Sequence, residues 1–150
     1  VIVWIHGGGW STGDKQNCPA LAMLSHGFAA VSINYRLSSQ ATYPAQIYDC
    51  KGAIRFLRAH AAQYHLDPTR IGVWGASAGG HLASVLGTSA GSTEIEGAVG
   101  GNLGQSSEVQ AVCDWYGPTD VTRFVDQAQS AGILKFNPSS NLLTKLFGGS

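Results

Sequence analysis

The chain carries little charge and no excess of either sign. Nine acids stand against nine bases, and charged residues make up 12% of its 150 positions. That balance excludes a basic nucleic-acid-binding surface as its main feature, and also a highly charged disordered tail. No apolar run approaches the ~20 residues that a bilayer span needs, so no membrane span is expected. The three cysteines, Cys18, Cys50 and Cys113, form no C-x-x-C pair, which excludes the common zinc and dithiol patterns. They are expected to act as small buried apolar residues. Residue 1 already lies in an apolar, β-like run, so the start of the chain is silent about targeting.

What is present is a globular composition with 44% apolar residues, long enough for one domain with a core. Glycine is frequent, at 20 residues, but clustered between apolar runs, where it punctuates elements. Val1 to Ile5 is continuously apolar, the signature of a strand covered on both faces. Ala29 to Asn34 reads as a second buried strand, Ile71 to Trp74 as a third and Val109 to Trp115 as a fourth. Cys18 to Ser25 gives a short helical pattern with Leu21 and Leu24 on its apolar side, and Ala78 to Leu86 reads as a further helix.

The best-marked helix follows Pro44, a residue suited to a first helical turn. Ile47, Cys50, Ile54, Leu57 and Ala61 form one stripe, with Lys51, Arg55 and Arg58 beside or outside it. Thr88 to Glu108, rich in Gly and Ser without periodicity, reads as a surface excursion. Beyond Val121, the apolar residues Phe124, Ile133, Leu134 and Phe136 show no clean alternation, and Leu142 to Phe147 forms an amphipathic turn or two. Strand and helix alternate four times, which predicts an α/β fold of three layers around a doubly wound, mostly parallel sheet. Right-handed crossovers then bring the loops after all strands to one edge.

Two loops at that edge carry chemistry. Gly75-Ala76-Ser77-Ala78-Gly79 fits G-x-S-x-G, a tight strand-to-helix turn that exposes a serine hydroxyl. Chance supplies about 0.26 such matches in a chain of this composition, so context must decide. Gly87-Thr88-Ser89-Ala90-Gly91 is a second match, without a strand before it, and Ser89 is set aside. Ser77 has the strand, the helix and small neighbours. His6-Gly7-Gly8-Gly9, expected about 0.01 times by chance, directly follows the first strand. Its glycines allow backbone N–H groups to approach a developing oxyanion, which side chains would block. The Ala78 N–H, at the start of a helix, supplies another donor. The G-x-x-x-x-G spacing of Gly8 to Gly13 also fits a phosphate loop, but Asp14-Lys15 stands where Lys-Ser/Thr is required.

Together these motifs resemble the α/β-hydrolase superfamily. Within it the chain is similar to H-G-G-G-containing carboxylesterases, a group that includes hormone-sensitive-lipase-like and bacterial feruloyl- or acetyl-xylan-esterase-like enzymes. Asn34-Tyr35-Arg36-Leu37, Tyr43-Pro44-Ala45 with Asp49, and Trp115 to Asp120 (WYGPTD) carry the likeness further. Trp10 and the last of these lean toward the feruloyl-esterase-like branch. The resemblance implies Ser77 as an acyl-accepting nucleophile, with Gly8, Gly9 and Ala78 as oxyanion donors. It implies that His6 orders the oxyanion loop, and that Asp49 and Arg36 are structural. A small-molecule ester is the implied substrate, with no cofactor and no metal.

A serine nucleophile needs a base, itself oriented by a carboxylate. In this superfamily the acid and then the histidine follow the serine. After Ser77 the sole histidine is His81, four residues along the same helix and carried away from the hydroxyl. Asp120 is the candidate acid, with helix capping as the competing role. The expectation is therefore that residues 1–150 form a partial α/β-hydrolase domain, incomplete at both ends, whose acid and histidine lie beyond residue 150. Alone, such a piece is expected to be inactive and poorly soluble, with strand edges unpaired.

Overall fold

The computed structural model describes residues 1–132 and 142–149. Strands β1 (Ile2–Ile5), β2 (Ala30–Ile33), β3 (Gly72–Ala76) and β4 (Ala111–Trp115) form one sheet in the order β2-β1-β3-β4. All three pairings are parallel. The chain leaves β1 to one side and returns to β3 on the other. The loops after these two neighbouring strands therefore diverge and open a crevice at their C-terminal ends, the place where open α/β sheets hold ligands.

Helices α1 (Ala45–Ala59) and α2 (Ala78–Thr88) cover one face. The α1 stripe of Ile47, Cys50, Ile54 and Leu57 packs with Val3, Ile5, Ile33 and Val73 of the sheet and with Leu82 and Leu86 of α2. Alternate strand residues point the other way, where Trp4 and Ala76 pack with Ala20 of a 3-10 helix, Pro19–His26. This is the α/β class expected. Pro44 sits one residue ahead of α1, at its N-cap. Among the described residues no helix is long and apolar enough to cross a membrane.

Several local expectations are corrected. In the helical turn after Cys18, Leu21 and Leu24 do share a face, being three apart, but that face is exposed and the small Ala20 packs inward. Of the cysteines, Cys50 is buried, Cys18 is half-buried and Cys113 is exposed. Cys113 lies on β4, the edge strand, where Val112 and Trp115 are also open to solvent. A single 3-10 turn at Thr93–Ile95 was not expected, and α3 (Val121–Ser130) was foreseen only as the helix that Asp120 would cap. The Leu142 to Phe147 turn is a short helix, α4 (Leu142–Phe147), with Leu146 buried. Phe124 is half-buried on α3, and Ile133, Leu134 and Phe136 fall outside the described residues.

The largest correction concerns α1. Lys51 and Arg55 were expected beside or outside the apolar stripe, yet their side chains are 0% and 1% exposed. The Thr88 to Glu108 excursion covers them and supplies their partners. Lys51 Nζ donates to Glu96 Oε2 at 2.9 Å and to the Ser89 carbonyl at 3.0 Å. Arg55 donates to Glu96 Oε1 at 2.5 Å and to the carbonyls of Glu96, Val99 and Gly101. Gly52 is required beneath this segment, because a Cβ there would lie 2.6 Å from the Val99 carbonyl oxygen. A stretch that is Gly- and Ser-rich is thus a pinned strap, held by one carboxylate between two buried cations.

Candidate active site

One residue, Ser77, separates the end of β3 from the start of α2. It adopts φ 54°, ψ −121°, a left-handed φ that costs a non-glycine residue on the order of 1–3 kcal/mol. The strain is held from both sides. The Ser77 N–H donates to the Trp115 carbonyl at 2.8 Å, and the Ser77 carbonyl accepts from the His81 N–H at 3.0 Å. The spacing of the motif is a steric requirement, since a Cβ on Gly75 would run into the backbone of Gly79. A Cβ on Gly79 would in turn strike the Ile5 carbonyl, and one on Gly80 would strike Asp114. The helix start is therefore wedged between the loop after β1 and the turn after β4. Asp114 fixes that turn, accepting from the Gly117 N–H at 2.8 Å and the Ser84 hydroxyl at 2.8 Å.

The loop after β1 lies directly against the serine. A Cβ on Gly7 would sit 2.8 Å from the Ala76 oxygen and 3.4 Å from Ser77 Cβ. Gly8 and Gly9 follow at φ 112° and 58°. The Gly8 carbonyl accepts from the N–H groups of Ser11 (3.1 Å) and Thr12 (3.0 Å) and from both hydroxyls. Because the trans peptide is planar, this turns the Gly9 N–H the opposite way, out of that turn. Ala78 is the first residue of α2, so its N–H is one of those a helix leaves without an intrahelical acceptor. The glycine loop and the start of α2 thus flank Ser77, each with a backbone N–H that neither the turn nor the helix uses.

Aromatic rings brace the loop. His6 stacks on Tyr35 at 4.3 Å between centroids and sets Nδ1 2.7 Å from the Gly7 oxygen. The Tyr35 hydroxyl donates to the His6 carbonyl at 3.0 Å, and burial pushes the Tyr35 phenol upward, so it stays a donor. Trp10, fully buried at φ 56°, accepts at its carbonyl from the Ser38 N–H at 2.7 Å. Ser38 belongs to the loop that Asp49 anchors: Arg36 donates to Asp49 from its backbone N–H at 2.8 Å and from its guanidinium at 2.9 Å. Arg36 and Asp49 therefore act as a structural pair.

No imidazole among the described residues is hydrogen-bonded to the Ser77 hydroxyl. His81 packs edge-on to Trp10 at 5.4 Å. Burial lowers its pKa, with Asp114 opposing, and its buried Nδ1 has no partner among the described residues. It is a neutral packing ring at neutral pH. His60 bonds its own helix at the Phe56 carbonyl, while His26 and His65 are exposed.

Asp120 is engaged in capping. Its carboxylate accepts from the N–H groups of Thr122 (3.0 Å) and Arg123 (3.3 Å), and the Thr122 hydroxyl bond first among these holds its pKa down. Asp120→Ala is expected to lower stability by removing the helix cap. Asp120→Asn, an equally good cap, should preserve both stability and any ester turnover. Thermal unfolding and kcat of the two variants check this, and a loss of several orders of magnitude in kcat for the asparagine variant would make Asp120 a triad acid.

Ser89, the other G-x-S-x-G serine, is the C-cap of α2, at the far end of that helix from Ser77. Its Gly91 faces open space, so the steric logic that ties Gly75 to Gly79 is absent there. Two residues at the edge were given no role at the site by the sequence. Tyr116 is 78% exposed at φ 47°, next to the Trp115 carbonyl that holds Ser77. Leu142 packs its methyls on Gly9. Tyr116 lies in the W-Y-G-P-T-D stretch and Leu142 in no motif, and neither the strained backbone of the one nor the contact of the other is displayed by the sequence.

Residues 1–149 match the family model described as BD-FAE. The probable carboxylic ester hydrolase LipM of Mycobacterium tuberculosis is 37% identical over 130 residues, covering 84% of this chain and 29% of that protein. The chain thus spans under a third of that curated relative's length. Among solved structures, a bifunctional GH43-CE protein from Bacteroides eggerthii superposes with a TM-score of 0.87 at 40% identity, over 99% of this chain and 20% of that one. A truncated carbohydrate esterase from gut microbiota superposes with a TM-score of 0.82 at 38% identity, over 98% of this chain and 54% of that one.

Proposed function

Because the chain belongs to the BD-FAE family, we propose that it carries the nucleophile and oxyanion hole of a serine-dependent carboxylic-ester hydrolase that works through an acyl-enzyme. The observation that carries this reading is the strained Ser77 turn pressed against Gly7 on one side and Trp115 on the other. Ser77 Oγ attacks the ester carbonyl carbon and gives its proton to a base. The carbonyl oxygen becomes an oxyanion, received by the N–H groups of Gly8, Gly9 and Ala78. The C–O bond to the alcohol then breaks, and the proton leaves with the alcohol. Water repeats the sequence on the acyl-serine, releasing the acid and restoring Ser77.

The base and its orienting carboxylate are assigned to the part of the whole protein that relatives possess and this chain does not cover. Two observations support that assignment: the 29% coverage of LipM and the engagement of Asp120 and His81 elsewhere. The likeness to a carbohydrate esterase supports a sugar hydroxyl as the leaving alcohol.

The test is a pair of substrates offered to the whole protein, 4-nitrophenyl acetate and the matching 4-nitroanilide. The ester should turn over and the anilide should not. Cleavage of the anilide with the ester spared would instead make this an amidase, and turnover of neither by folded protein would remove the catalytic reading.

A further inference from the structure

We infer that Leu142, on α4, is the end wall of the acyl pocket and confines the enzyme to short acyl groups. The inference deepens the reading of Ser77 as nucleophile and rests on it. Its basis is a contact across most of the chain. A Cβ on Gly9 would lie 2.8 Å from Leu142 Cδ1 and 3.1 Å from Cδ2, so the leucine methyls pack directly on the Gly9 backbone. Gly9 is a proposed donor to the carbonyl oxygen. That oxygen and the first acyl carbon hang on the same carbon atom. Atoms packed on Gly9 therefore border the space open to a group carried on that carbon.

The wall is fixed in place. Leu146, one helical turn on, is fully buried, and its carbonyl accepts from the Tyr43 N–H at 2.7 Å. Phe147 packs edge-on against Tyr43 at 5.6 Å. Tyr43 in turn lies 6.3 Å from the His81 ring, which packs on Trp10. This side of the serine is lined by apolar and aromatic groups, suited to an alkyl acyl group rather than to a polar alcohol. On the other side, after β4, Tyr116 stands 78% exposed. That open side suits the alcohol, which must leave.

The experiment compares the whole protein with Leu142→Ala and Leu142→Phe, using kcat/KM for 4-nitrophenyl acetate, butyrate and hexanoate. Leu142→Ala should raise the hexanoate-to-acetate ratio by about tenfold or more, the scale on which a pocket discriminates methylenes. Leu142→Phe should lower the butyrate-to-acetate ratio. Each is a ratio within one sample, so loss of folded protein cancels. A second series holds the acyl group constant, as ethyl, 1-naphthyl and 4-nitrophenyl acetates, and its ratios should not move. Unchanged acyl ratios, or a shift confined to the alcohol series, would overturn the inference while leaving Ser77 as nucleophile. Turnover of no ester by folded wild-type protein would bring down the Ser77 reading and this one with it.

Discussion

Ser77→Ala is expected to lower kcat for a short aryl ester in the whole protein by about 10⁴–10⁶, the loss seen when a serine nucleophile is deleted from a working triad. The fold should be untouched. The turn is held by the Ser77 N–H and carbonyl, to Trp115 and from His81, and alanine keeps both groups. Alanine at φ 54° is neither more nor less strained than serine. Initial rates and thermal unfolding on the same preparation separate the two effects. A variant retaining a tenth of the wild-type rate would place the nucleophile elsewhere, whereas a variant that lost its unfolding transition would show that the hydroxyl is structural. Ser89→Ala is the internal control. It removes the other motif serine, at the far end of α2, and should leave the rate unchanged.

Glu96→Gln is expected to produce the largest loss of stability. Lys51 and Arg55 are almost wholly buried, and among the described residues their carboxylate partner is Glu96. Removing one partner of a buried pair costs about 3–5 kcal/mol because the remaining charge is left uncompensated. Glu96 keeps 33% of its own side chain in water, which places the loss at the lower end, ~3 kcal/mol. For a chain of this size that lowers Tm by about 6–12 °C. Pairing the change with Lys51→Met should recover part of it, since fewer buried cations then lack a counter-charge.

The same cluster sets a pH dependence. Partial burial would raise the Glu96 carboxyl, but hydrogen bonds from Lys51, Ser107 and Arg55 outweigh it and hold the group below its ordinary value of 4.5. A carboxyl depressed in the folded state contributes stability above its unfolded pKa and loses it as pH falls through the folded one. Wild-type stability should therefore drop below about pH 4.5, and the Glu96→Gln variant should show a shallower drop over that window. Denaturant midpoints at several pH values read this directly. Equal slopes would remove Glu96 from the account of stability.

The parallel core was legible because β1 is a continuous apolar run, the later strands are short β-rich segments between turn residues, and α1 carries one apolar stripe. The sense in which it was incomplete is physical. Nothing local announces that Lys51 and Arg55 turn inward, because Glu96 and the carbonyls that neutralise them lie some forty residues on, in a segment without periodicity. The extent of helix α3 was not legible because Val121, Thr122 and Val125 are β-branched and poor helix formers. The Asp120 cap, which the sequence did display, is what starts the helix. Cys113 and Val112 have the composition of a covered strand, but exposure is decided by what packs beside β4, not by its own residues. At the candidate site, Ser77 and the glycines after β1 could be found because backbone sterics leave a motif behind. Leu142 could not, since a packing contact with Gly9 imposes no pattern on the residues between them.

The central claim, that Ser77 alone among the chain's serines is the activated one, is tested most directly by a fluorophosphonate probe. The whole protein is labelled, digested and mapped by mass spectrometry. The expected result is a single adduct on the peptide containing Ser77, lost in Ser77→Ala and retained in Ser89→Ala. An adduct on Ser89 or any other serine, or an unlabelled protein that nonetheless hydrolyses the ester, would contradict it.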